Sequence, residues 1–163
     1  MASGSQPYGY ITPQTADTSP ANPTAPASTS AYKMQGLGAL ITPSTPSGSV
    51  LAIISGTLTD SATTVGEGIN LQLYYGPIVS GTAPPANAAA IPASAVALGP
   101  PMTWASGVTL TTAADLFQPF CLHGMAKGLS PNQQYWFDVA AESVIGASIV
   151  AITNAHVTLA EIG

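Results

Sequence analysis

Catalysis needs a nucleophile, an acid–base pair or a ligand cluster, and this chain offers few candidates for any of them. Its two histidines, His123 and His156, lie far apart in sequence. Neither belongs to an HxH, HExxH or Cys/His pattern with zinc spacing, so each reads as a surface or hydrogen-bonded side chain. Cys121 is the one cysteine, which excludes an intrachain disulfide. In its apolar stretch it is expected to be a small buried hydrophobe rather than a nucleophile. The carboxylates Glu67, Asp115, Asp138 and Glu142 are the candidates for glycoside cleavage, which needs two carboxyl groups roughly 5 to 10 Å apart. Nothing in their spacing imposes that separation. No Gly-x-Ser-x-Gly elbow occurs, and Gly36-Leu37-Gly38 lacks the third glycine and the strand-to-helix setting of a dinucleotide loop. Arginine is absent, which removes the usual bidentate anchor for phosphate or carboxylate substrates. The expectation is a chain that is not an enzyme and has no catalytic residue, cofactor or metal.

Composition narrows the partners. Two Lys and seven Asp or Glu make up only 6% of 163 residues, with a net charge of -5, against roughly 25% charged residues in an average soluble domain. Without clustered cations, binding to nucleic acid is not expected, and neither is a basic membrane-surface helix. Hydrophobic residues reach 46%. Every apolar run is nonetheless broken by Gly, Pro, Thr or Asn before the roughly 20 residues of a spanning helix. The opening MASGSQPYGY has neither a basic n-region nor an apolar h-region, which reads as an intracellular product. The length suits a single domain.

Two regions follow from the pattern along the chain. Residues 1–31 carry Pro7, Pro13, Pro20, Pro23 and Pro26 among small polar residues and read as an extended N-terminal arm. Residues 32–163 read as an all-β domain. Lys33 to Ile41 is a glycine-diluted apolar segment, and Ser49 to Asp60 is a buried strand with Gly56 as a bulge or close-packing point. In Ile69 to Gly76, Ile69, Leu71, Leu73 and Tyr75 alternate with Asn70, Gln72 and Tyr74, the period of a half-buried strand. Pro77 to Pro101 reads as a long loop with Pro84, Pro85 and Pro92, of a length that is commonly functional. Strands follow over Met102 to Leu110 and Phe117 to Gly128. In the latter, apolar residues of both parities predict burial on both sides, in the core and under a loop or neighbouring subunit.

Leu129, Pro131 and Tyr135 have the spacing of a tyrosine corner, in which the hydroxyl bonds back to the backbone where the chain passes between sheets. Beyond it, Trp136 and Asp138 take the parity opposite Tyr135, Phe137 and Val139, so one side is expected to pack and the other to present an aromatic ring and a carboxylate. Ala147 to Ile152 and Ala155 to Ile162 read as a hairpin through Thr153-Asn154, with Val157, Leu159 and Glu161 sharing one face. Seven or eight short strands and no convincing long helix predict an antiparallel β-sandwich of jelly-roll or Greek-key type.

The succession GLGALITPSTPSGSVLAIISGTLTD, INLQLYYG, GLSPNQQYWFDVAA and VTLAEIG resembles a family of small β-rich virion proteins of tailed bacteriophages, over roughly Leu37 to Ile162. That resemblance implies a structural component of the virion: a decoration or cement protein on the head surface, assembled in the host cytoplasm. Its implied partners are the major capsid protein and copies of itself, as a trimer or dimer. The alternative is a receptor- or carbohydrate-binding module on a tail or fibre, for which Tyr74, Trp104 and Trp136 would have to form an exposed platform. The candidate partner contacts are Pro7, Tyr8, Tyr10, Pro13, Pro20, Pro23 and Pro26 in the arm, Pro84, Pro85 and Pro92 in the loop, and Trp104.

Overall fold

The computed structural model describes residues 14–23, 31–60, 68–80, 82–105, 116–144 and 150–162. Among them there is no helix, and the elements are β1 (Thr15–Thr18), β2 (Lys33–Met34), β3 (Ala39–Ile41), β4 (Ser49–Asp60), β5 (Gly68–Pro77), β6 (Val96–Ala105), β7 (Leu116–Ala126), β8 (Tyr135–Ser143) and β9 (Val150–Ile162). One sheet has the order β1-β9-β4-β7; the other runs β2-β8-β5-β6, with β3 also paired to β8. All pairings are antiparallel. Lys33 lies opposite Ala141 and Ala39 opposite Phe137, so β2 and β3 are two halves of one interrupted strand along the same edge of β8. With those halves counted together, eight strands divide four and four between the two sheets, with β5 and β6 the one consecutive pair within a sheet, the arrangement of a jelly roll. The expected fold class is therefore found, in its jelly-roll form.

Alternating apolar residues build the core between the sheets. Val50, Ala52, Ile54 and Leu58 of β4 face Ile69, Leu71 and Leu73 of β5, and Phe137, Val139, Val157 and Leu159 join them, all buried. The tyrosine corner forms: the Tyr135 hydroxyl accepts a hydrogen bond from the Ser130 amide at 3.0 Å. Gly56 is the expected close-packing point, because a Cβ there would stand 2.9 Å from Phe120 Cε1 and 3.1 Å from the Thr153 carbonyl oxygen.

Four local readings are corrected. Thr153-Asn154 does not turn a hairpin: β9 runs straight through, and Asn154 takes a left-handed φ of 52°. Ser55 lies opposite His156 but Thr57 opposite Thr153, so β9 carries one extra residue there and Asn154 forms a bulge. Pro100 and Pro101 lie inside β6 rather than in a loop. They are tolerated because β6 is an edge strand with a register break between Leu71 and Leu73 of β5. There the buried Gln72 donates from Nε2 to the carbonyls of Leu73, Leu98 and Gly99, filling a gap that has no proline N–H to bridge it. Lys33 to Ile41 forms two short strands, since Gly36 and Gly38 adopt φ of 71° and 54° and interrupt the ladder, while Gln35 N still donates to the Val139 carbonyl of β8 at 2.8 Å. Finally, Thr15–Thr18, within the segment read as the arm, pairs with β9 from Ala160 to Val157, so the sandwich takes in part of that segment.

Candidate functional site

The described members of the expected contact set lie in three separate places: after β1, in the β5–β6 loop and on β6. Pro7, Tyr8, Tyr10, Pro13 and Pro26 lie outside the described residues. Pro20 is half-buried and Pro23 buried beside β1. Trp104, on β6, is half-buried against the main core. Pro84, Pro85 and Pro92, also half-buried, belong to a loop that folds back on its own sheet. It covers a second small core in which Met34, Trp136 and Ala140 pack with Tyr74, Ile78 and Ile91. Backbone bonds fasten the loop: Met34 N to Ala89 O at 2.9 Å and Ala88 N to Met34 O at 2.8 Å. Pro77, Pro85, Pro92 and Trp136 line a cavity of about 210 Å³ beneath it.

This cover overturns the expectation that Trp136 and Asp138 face outward. Trp136 is 2% exposed and Asp138 0%, because the β5–β6 loop folds over Trp136 and the amides at the break between β2 and β3 close on Asp138. Tyr74 and Trp136 are consequently part of a packed cluster and make no exposed platform with Trp104. Asp138 holds the interruption in place. Its Oδ2 accepts from the Gly36 amide at 2.9 Å, and its Oδ1 accepts from Leu37 at 3.0 Å and from its own neighbour Val139 at 2.7 Å. Burial drives its carboxyl up to about 7, against the three amides that favour the charged form. Glu142, on the same side of β8, accepts from Asn70 Nδ2 at 3.0 Å. Four residues of strand place it about 13 Å from Asp138, outside the range of a glycosidase pair; Glu67 and Asp115 lie outside the described residues.

Glu161 forms a second polar knot, at the end of β9. It shares the inward parity of Val157 and Leu159 and is 4% exposed. One carboxylate oxygen accepts from the Ser44 and Thr45 amides, and the other from the Gln14 amide at 2.9 Å and the Ser44 hydroxyl at 2.9 Å. Burial raises its carboxyl, but these donors outweigh that and hold it down at about 2. A single side chain thereby ties the start of β1, the loop after β3 and the end of β9.

The remaining surface of note is the outer face of the β1-β9-β4-β7 sheet. Residues 117, 119, 121, 123 and 125 of β7 point outward and are all exposed, Phe117 at 66% and Met125 at 42%. The inward row of this strand, Phe120, Leu122 and Ala126, enters the core as expected, and no described loop of this chain covers the other row. Cys121, expected to be buried, is exposed in that row. In register beside it, Met125 lies opposite Leu51 and His123 opposite Ile53 on β4. At the far margin, His156 Nε2 meets Asp17 Oδ1 at 2.6 Å, and Thr158 Oγ1 donates to the same oxygen at 3.0 Å. Cys121 and His123 also border a cavity of about 280 Å³, shared with Pro100, Pro101 and Met102 of β6. The apolar residues of odd parity in β7 were the sequence signal for this face. Their exposure depends on where the covering loop folds, which is over the opposite sheet.

No family model matches the chain, and no curated protein matches it. Among solved structures it is similar to a mutant VP2 protein of infectious bursal disease virus in derived T=1 particles, at 11% identity and a TM-score of 0.38, over 100% of this chain and 36% of that one. It is also similar to the VP2 subviral particle of infectious bursal disease virus, at 16% identity and a TM-score of 0.25, over 93% of this chain and 42% of that one. The chain thus spans less than half the length of either. At these TM-scores the likeness carries no argument, and the reading of the chain rests on its own geometry.

Proposed function

We propose that this chain is a structural protein of a virus particle, a decoration or cement module that adheres to the capsid lattice of a tailed bacteriophage. The observation that carries the reading is the outer face of the β1-β9-β4-β7 sheet, which among the described residues is uncovered, apolar along β7 and nearly free of charge. Contacts on a repeated lattice favour such a surface, since each charge buried against a neighbour must be desolvated and each like charge repels its copies. The jelly roll supports the reading at the level of fold only, being an architecture of viral capsid domains and of lectins alike. The sequence resemblance to tailed-phage virion proteins points the same way. The segment before Gln14 is proposed as the clamp, because β1 anchors its end to the sheet through Glu161 while its prolines favour an extended course.

The test is adsorption of the purified chain to virus heads that lack it. Saturable binding in proportion to the capsid protein is expected, with weaker binding after removal of residues 2–12, a cut that keeps Gln14 and β1. A full-length chain that leaves such heads bare would overturn the reading.

A further inference from the structure

The outer face of the β1-β9-β4-β7 sheet needs an occupant, and its chemistry selects one. At about 4.8 Å between strands and 3.3 Å per residue, β9, β4 and β7 present on the order of 500 Å². Two such faces bury on the order of 1,000 Å², where specific protein interfaces begin. Of the described residues facing outward on this sheet, Asp17 of β1 is the one carboxylate, and none is Lys or Arg; Lys127 follows just beyond the end of β7. Asp17 is matched within its own chain by His156 and Thr158. It sits on β1 at the sheet's margin, away from Ile53, which lies mid-sheet between His123 and Thr158.

A face of this kind is self-complementary. In a two-fold contact the same patch meets itself, so any unpaired charge near the axis would meet its own copy. Here an axis over β4 places apolar and hydroxyl side chains against each other and keeps the two Asp17–His156 pairs at opposite ends. Flat antiparallel faces stack in this way about 10 Å apart within sandwiches. We infer that the outer face of the β1-β9-β4-β7 sheet binds a second copy of this chain, making the working unit a face-to-face dimer with Cys121 and Ile53 inside the contact. This rests on the reading of that face as adhesive. With that face occupied by the second copy, contact with the capsid falls to the N-terminal segment and the β5–β6 loop.

The experiment is sedimentation equilibrium of the full chain together with the rate of maleimide labelling at Cys121, its one cysteine. A dimer is expected, with labelling that slows as protein concentration rises. Ile53→Lys, mid-face, and Met125→Lys, at a more exposed site that a folded chain tolerates, should each raise the dimer dissociation constant by about tenfold or more. Gln134→Lys, on an exposed turn away from the face, should leave it unchanged. A chain that stays monomeric, or a dimer whose Cys121 labels at the monomer rate and which both face variants leave intact, would overturn the inference. Head adsorption reads the other claim separately. A dimer that ignores virus heads sinks the virion reading and keeps the dimer, whereas a monomer that coats them does the reverse.

Discussion

Glu161 and Asp138 are both buried acids on strands, and their surroundings push them in opposite directions. Glu161 sits at the rim of the sandwich among donors from three segments, which keep it ionised down to about pH 2, whereas an unfolded chain takes up that proton near 4.5. The stability it gives is complete above pH 4.5 and is lost as pH falls toward 2. Asp138 is sealed under the loop, and its carboxyl titrates at about 7 when folded against 3.8 ordinarily. Its contribution is complete below pH 3.8 and is lost as pH rises toward 7, at no more than about 1.4 kcal/mol per pH unit. Stability by chemical denaturation is therefore expected to peak at about pH 4–5. Asp138→Asn should flatten the decline above the peak while lowering the maximum by about 1–3 kcal/mol, since its amide NH₂ faces a backbone N–H. Glu161→Ala should remove the acid limb and cost about 1–2 kcal/mol at neutral pH, a modest figure because the site lies near solvent.

At the scale of elements, the bulge in β9 and the edge strand β1 carry the sharpest consequences. Gly56→Ala would force Cβ against the buried Phe120 ring and the Thr153 carbonyl and is expected to cost about 1–3 kcal/mol. Asn154→Gly keeps the left-handed φ and should change stability by less than about 0.5 kcal/mol, whereas Asn154→Val should cost about 1–2 kcal/mol; thermal melts read all three. Removal of residues 2–23 strips β1 from β9 and the Gln14 donor from Glu161, and it should lower Tm by about 5 °C or more. Sequence patterning made much of this visible. The alternation of Ile69, Leu71 and Leu73, the Tyr135 corner and the inward parity of Glu161 are local signals, set by a period of two and by one turn. What escaped it was set elsewhere in the chain. Asn154 has the same chemistry whether it turns a hairpin or bulges a strand, and only the partner β4, running unbroken past Gly56, selects the bulge. The cover over Trp136 and Asp138 likewise comes from a loop some fifty residues upstream, and the short polar strand β1 is defined by its pairing with β9 rather than by its own residues.

For the whole molecule, the two sheets differ in what lies over them. The β2-β8-β5-β6 sheet has its outer side covered by its own chain, with Trp136 and Met34 packed beneath the loop. Among the described residues nothing covers the outer side of the β1-β9-β4-β7 sheet, which carries the exposed Phe117, Cys121 and Met125. That asymmetry, with charged residues at 6% of the chain, describes a block built to be covered by other protein, and it motivates both the dimer and the place proposed for the chain on a virus head. The most direct measurement is the copy number of this chain in purified virus particles, by quantitative peptide mass spectrometry against the major capsid protein. The account expects a fixed ratio to the capsid protein, with copies on the order of hundreds per particle, as an adhesive module repeated across a lattice requires. A handful of copies, or none, would contradict it.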